Sequence, residues 1–164
     1  MTSKLRRVVV AVDGSEESMN ALRWSLRQLN LPNSDSSFTI LHIQSPPSIS
    51  TGLNPGAIPF GGPSDLEVPA FAAAIEAHQR RITEAVLQHA LEICRDCSVP
   101  IKTHVEIGNS KEKICEAVEK LNADLLVMGS RSFGPVKRMF LGSVSNYCTN
   151  HAQCPVIIFK GGDC

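Results

Sequence analysis

No stretch of this sequence is long and apolar enough to cross a bilayer. Unbroken apolar runs such as Val8 to Val12 and Leu125 to Met128 are short, against the roughly 20 residues a spanning helix needs. Net charge is missing too. Sixteen Lys and Arg balance sixteen Asp and Glu, so no whole-chain field draws in nucleic acid or anionic lipid, which argues against a duplex-DNA reader. The opening residues Met1 to Arg7 lead straight into a strand-like run without an apolar segment or a small-residue cleavage site. The expectation is a soluble intracellular protein, cytoplasmic or nuclear. The first half has no cysteine. All six (Cys94, Cys97, Cys115, Cys148, Cys154 and Cys164) lie in the second half, mostly in apolar, helix-like sequence, unlike a secreted disulfide scaffold. Cys94 and Cys97 have CxxC spacing near the end of a helical pattern and read either as helix-packing thiols or as a redox or metal pair. The five histidines show no HxH or HExxH spacing, so no dedicated metal site is expected. Internal repeats are also absent.

What is present suits one domain over residues 1–164: 43% of the residues are hydrophobic, enough for a real core. Arg6 to Val12 is a β-branched run of the kind found in parallel sheets covered on both faces. Asp13-Gly14-Ser15 ends it, and Ser15 caps a helix whose stripe is Met19, Leu22, Leu26 and Leu29. Phe38 to Ile43 reads as a second strand. Ile75, Ile82, Val86, Ala90, Ile93 and Cys97 mark a long second helix. Between them, 45–66 carries five prolines and four glycines; such a loop is a lid, a partner surface or an unstructured insertion. Ile101 to Ile107 is a third strand, and Ser110 caps a helix with Ile114, Val118 and Leu121 inward. Ala123 to Met128 is a fourth strand, Gly142 to His151 a helix, and Pro155 to Lys160 a fifth strand with its proline where no ladder bond is lost.

Strands alternating with helices imply right-handed crossovers and an α/β fold, a doubly wound five-stranded parallel sheet of Rossmann-like type. Ligands of such sheets lie beyond the carboxyl ends of the strands, where the crossovers change direction. Two ends carry ligand chemistry. The first is Asp13-Gly14-Ser15. The second begins at Gly129-Ser130-Arg131-Ser132-Phe133-Gly134 and runs on to Gly142-Ser143. Small side chains let backbone amides approach an anion, and a helix opening at Gly142-Ser143 adds unpaired N–H groups and a positive dipole end. These residues also read as plain turn glycines and a helix cap, and Asp-Gly-Ser as ordinary turn chemistry. Lys137 and Arg138 either meet distal phosphates or solubilise the loop. No catalytic triad can be assembled, and no Walker lysine follows the Gly-rich turn.

The chain resembles the universal stress protein family, particularly its single-domain plant members, over nearly its whole length. The family signature is glycine, two residues, glycine, nine residues, glycine, then serine, threonine or asparagine. Here it reads Gly129, Ser130-Arg131, Ser132, nine residues, Gly142, Ser143. Val-Asp-Gly-Ser at residues 12–15, Leu-His-Ile at 41–43 and Tyr147 through Val156 match as well. The resemblance implies the strand order 3-2-1-4-5 and ATP or AMP as ligand, with any Mg²⁺ or Mn²⁺ arriving with the phosphates. It implies that Asp13 contacts the nucleoside and Ile43 meets adenine through its main chain. Gly129, Ser132, Gly142, Ser143 and Val144 would surround ribose and phosphates, with Ala11, Val12, Met128, Arg131 and Ser145 as neighbours. Ser132 stands where nucleotide-binding members have their second glycine. Its hydroxyl can donate to a phosphate, while its Cβ would cost on the order of 1 kcal/mol at a positive φ.

The family further implies a homodimer, expected through the apolar edge strand at Pro155 to Phe159, and it allows slow ATP hydrolysis. The expected role is a nucleotide-dependent stress-response or signalling module without dedicated catalytic residues. The alternative is a nucleotide-free interaction or dimerisation module on the same fold.

Overall fold

The computed structural model describes residues 5–32, 35–46, 67–130 and 142–161. Nine elements alternate along them: β1 (Arg7–Ala11), α1 (Glu16–Gln28), β2 (Ser37–Gln44), α2 (Glu67–Ile93), β3 (Ile101–Ile107), α3 (Ser110–Lys120), β4 (Leu125–Gly129), α4 (Ser143–His151) and β5 (Val156–Phe159). The five strands form one parallel sheet in the order β3-β2-β1-β4-β5, the expected doubly wound α/β arrangement. Most of the 45–66 segment, like Arg131, Ser132, Lys137, Arg138 and Cys164, lies outside the described residues.

The central strands β1 and β4 are almost wholly apolar because both their faces are covered. Val8, Val10, Val12, Phe38, Ile40, Leu125 and Val127 pack with Met19 and Leu22 of α1 and Val86 and Ala90 of α2. Their neighbours Val9, Leu41, Leu126 and Met128 turn the other way, onto Ile114, Ala117 and Val118 of α3 and Cys148 of α4. The two-residue period of a strand thus feeds two cores at once. Register at the lower end is pinned by Asp124, which accepts from the Arg6 and Arg7 amides at 3.0 and 2.9 Å. Its own N–H donates to the Arg7 carbonyl at 2.8 Å.

Three details differ from the sequence expectation. Asn109, not Ser110, is the N-cap of α3; Ser110 is its first helical residue. On α2 the buried seam runs through Thr83, Val86 and Ala90, while Ile82 is 41% exposed. Thr83 takes the inward place because Gln44 on β2 is buried beneath it, and Thr83 Oγ1 donates to Gln44 Oε1 at 2.9 Å. A buried amide needs a partner more than the site needs a methyl group. Third, Cys97 lies past the end of α2. Cys94 sits in the main core with Cys97 packed against it, and burial pushes the Cys94 thiol up to about 11. A thiol held protonated in this way is a poor nucleophile, and the geometry agrees with the packing reading.

One ionic cluster stands on the outer strand. Glu106 Oε1 accepts from Lys120 Nζ and His104 Nε2, each at 2.8 Å. The Lys120 bond first, and the His104 bond second, hold the carboxyl down at about 2, against an ordinary 4.5. Because the folded value is the lower one, the stabilisation is whole above pH 4.5 and fades as pH falls towards 2. Glu106→Gln should therefore lower stability at neutral pH and flatten the acid limb over that window. The gap to the parent should close near pH 2, as measured by urea midpoints across an acid series.

Candidate functional site

The carboxyl ends of β1, β2 and β4 open onto one cleft, with apolar walls and a rim of small polar residues. It lies at the reversal of winding: the chain steps from β1 through β2 to β3, then crosses by α3 to β4 on the other side of β1. Helices α1, α3 and α4 each send their amino-terminal end to its rim, through Ser15, Ser110 and the run Gly142 to Ser145.

The β1 turn is built by local hydrogen bonding. Ser15 is the N-cap of α1, its Oγ accepting from the Ser18 N–H at 3.2 Å. Asp13 Oδ1 accepts from the Ser15 N–H at 3.0 Å and from the Ser15 hydroxyl. Ser18 Oγ donates to the Ser15 carbonyl at 2.9 Å and accepts from the Asp13 N–H at 3.2 Å. Gly14 makes the bend possible: its φ is +88°, and a Cβ there would also meet Val86 Cγ2 at 3.1 Å. A strand that must stop and start a helix within four residues needs such an arrangement, and it fixes the direction of Asp13.

Beside it, the Val12 N–H donates to the Leu41 carbonyl at 2.9 Å. The buried His42 ring presents Nδ1 to the Val12 carbonyl at 2.9 Å, an arrangement that calls for a proton on that nitrogen. The tips of β1 and β2 are thereby tied together. Val12, Leu41, Ile43, Ile114 and Met128 supply the apolar walls of the cleft.

Across the cleft stands α4. Gly142 is its N-cap with no side-chain capping bond, and the Asn146 N–H reaches back to the Gly142 carbonyl at 2.9 Å. The N–H groups of Ser143, Val144 and Ser145 precede that first intrahelical bond and have no carbonyl within the helix to meet. Ser145 is 4% exposed, and no hydrogen bond of its hydroxyl falls among the described residues. Asp13 is the only charged side chain among the described lining residues, and the anion donors these residues offer are amides and hydroxyls.

The two signature glycines in view differ in kind. A Cβ on Gly129 would lie 2.6 Å from the Glu17 carbonyl oxygen and 2.9 Å from the Ser18 nitrogen, both backbone atoms of α1. Gly129 is small because β4 passes beneath the first turn of α1. Gly142 has φ −60° and ψ 160°, open to any residue, and a Cβ there would meet nothing within 4 Å. Its smallness answers no packing need among the described residues.

Ten residues singled out from the sequence, Ala11, Val12, Asp13, Ile43, Met128, Gly129, Gly142, Ser143, Val144 and Ser145, line this one cleft. Arg131 and Ser132 fall outside the described residues. Sequence reasoning missed Ser15, Ser18, Leu41, Ser110 and Ile114 as lining residues. Leu41 was within reach: it is two places before Ile43 and shares its face of the strand. Ser110 was read only as a cap, although a helix following a parallel strand starts at this same edge of the sheet.

Fold and cleft together define an α/β protein with a candidate ligand site at the switch point of its sheet. The universal stress protein family profile matches residues 4–160, and the chain belongs to that family. It is 33% identical to universal stress protein PHOS34 of Arabidopsis thaliana, with 96% of this chain and 63% of the relative aligned. With PHOS32 of the same plant it shares 32% identity over 96% of this chain and 66% of the relative. The chain thus spans just under two thirds of these relatives. Among solved structures, a universal stress protein family protein from Arabidopsis thaliana with AMP bound superposes with a TM-score of 0.62 at 24% identity, covering 96% of this chain and 92% of the other. A universal stress protein in complex with cAMP superposes at 0.60 and 18% identity, over 96% and 98%.

Proposed function

We propose that this chain, as a single domain, binds an adenine mononucleotide, AMP or ATP, in the switch-point cleft and acts as a nucleotide-dependent stress-response module. The observation that carries the reading is the combination of α4's first-turn amides, which have no carbonyl partner within the helix, and the room beside Gly142 among the described residues with an apolar wall across the cleft. Phosphates belong at the α4 end, where N–H groups and the positive dipole end face the cleft. The base belongs between Val12, Ile43 and Met128, with Asp13 receiving the hydroxyls or amines of the nucleoside. A carboxylate would repel the phosphates, so this polarity is the only one of the two that suits Asp13. Arg131 and Ser132 join the set by the signature alone. AMP and cAMP in the two solved relatives support the ligand class.

Mg²⁺ or Mn²⁺ would accompany ATP phosphates rather than occupy a protein site. Hydrolysis, where it occurs, is slow, and the chain works in the cytoplasm or nucleus. No described helix is long and apolar enough to cross a membrane. Pairing of two copies through β5 belongs to the same reading.

Isothermal titration with AMP and ATP, beside mass spectrometry of the denatured purified protein, tests the ligand. Co-purifying adenine nucleotide or saturable heat is expected; neither would leave the interaction-module alternative standing. Gly142→Ala sharpens the test. With φ −60° and no neighbour within 4 Å, the added methyl group should leave the urea midpoint near the parent's. Set against a phosphate, it should weaken binding about tenfold, or about 1.4 kcal/mol.

A further inference from the structure

β3 is the outermost strand on one side of the sheet, and no described strand pairs with its free side. The Phe38 N–H donates to the Pro100 carbonyl at 3.0 Å and the Gly108 N–H to the Gln44 carbonyl at 3.1 Å. Even-numbered residues of this segment therefore turn their amide groups towards β2, and Ile101, Thr103, Val105 and Ile107 turn theirs outward. Two of these four also expose apolar side chains, Val105 at 38% and Ile107 at 53%. A seven-residue edge of this kind is a template for another strand.

We propose that a second copy of this chain pairs with it, β3 against β3, antiparallel about a two-fold axis at His104. The sequence of the strand is its own complement in that register. Thr103 faces Val105 of the partner copy and Ile101 faces Ile107, so every outward amide group meets an outward amide group, and the exposed Val105 and Ile107 gain cross-strand neighbours. On the opposite face Lys102 stands against Glu106 of the partner copy, twice by symmetry. These are the non-hydrogen-bonded positions, where side chains lie closest.

Both groups have capacity for the contact. The bonds from Lys120 and His104 end on Glu106 Oε1, and Lys102 makes no ion pair among the described residues. An axis at Thr103 sets Lys102 against His104 and Glu106 against Pro100; an axis at Val105 sets Lys102 against Gly108. Of the three neighbouring registers, only the axis at His104 sets a lysine against a carboxylate at both ends; the axis at Val105 sets Glu106 against His104, with which it is already bonded on its own strand, and leaves Lys102 opposite a glycine. The opposite edge, β5, has four residues. Its outward amide groups belong to Val156 and Ile158, because Pro155 and Phe159 carbonyls accept from β4 and Ser130.

Sedimentation equilibrium of the full chain at micromolar concentration tests the assignment. Ile158→Pro blocks the β5 edge without loss of a ladder bond and should leave a species of twice 17.8 kDa. Adding Val105→Pro, which likewise removes only an outward amide, should raise the dissociation constant at least tenfold. Lys102→Glu should do the same if the proline variant fails to fold, and Lys102→Glu with Glu106→Lys should bring association back. An Ile158→Pro chain that sediments as a monomer overturns the proposal, as does one whose association is indifferent to Lys102→Glu. Neither outcome depends on whether the cleft holds a nucleotide.

Discussion

Gly129→Ala should cost about 3 kcal/mol of folding stability, the upper part of the range for forcing an extra methyl group into a packed site. The reason lies in what the methyl group would strike. Its ideal position is 2.6 Å from the Glu17 carbonyl oxygen, 2.7 Å from the Glu17 carbonyl carbon and 2.9 Å from the Ser18 nitrogen. None of these atoms belongs to a side chain that could turn away. Relief requires α1 to move off β4, and α1 is held by the Asp13-Ser15-Ser18 hydrogen bonds at its head and by Met19 and Leu22 in the core. For a chain of this length the loss corresponds to a fall of roughly 6–12 °C in melting temperature. The urea midpoint should fall with an unchanged slope. A midpoint within about 0.5 kcal/mol of the parent would mean that α1 rides freely on the sheet. The contrast with Gly142→Ala divides one sequence signature into two physical jobs, close packing at its first glycine and space beside helix amides at its last.

That division was not legible in the sequence. A glycine followed by small residues after a strand says that something must come close; it does not say whether the something is a phosphate or another helix. The answer for Gly129 depends on where α1 lands, a tertiary fact set by the β1 turn more than a hundred residues earlier. The strands were legible because burial on both faces writes continuous apolar runs such as Val8 to Val12, and their alternation with helical stripes yields a parallel doubly wound sheet. The strand order came from the family resemblance.

The helix seams were readable only to within a residue. An isoleucine at 82 looks like core and Thr83 does not, until Gln44 arrives on the neighbouring strand with an amide to satisfy. Ser110 reads as a cap from its own neighbours. Its place on the cleft rim follows from the sheet, since every helix after a parallel strand begins at the same edge.

Asp13→Ala should weaken adenine nucleotide binding about a hundredfold and lower stability by about 1 kcal/mol, and Asp13→Asn separates the two effects. The stability share follows from the turn: Oδ1 accepts from the Ser15 N–H and hydroxyl, and alanine leaves both donors to water, a loss on the scale of a capping interaction. Asparagine keeps an oxygen at that position and should restore most of it. The binding share follows from charge. A carboxylate that accepts from a nucleoside hydroxyl or amine makes a hydrogen bond worth about 1.5–3 kcal/mol, and a neutral amide oxygen makes a weaker one. Titration should therefore rank the parent first, Asp13→Asn about tenfold weaker and Asp13→Ala weakest. Two other rankings carry their own meaning. If Asp13→Asn binds as tightly as the parent, Asp13 serves the turn alone and its charge is idle in the cleft. If Asp13→Asn binds more tightly, the carboxylate opposes the phosphates, and the nucleotide lies in the reverse sense, with its anionic end towards α1 instead of α4.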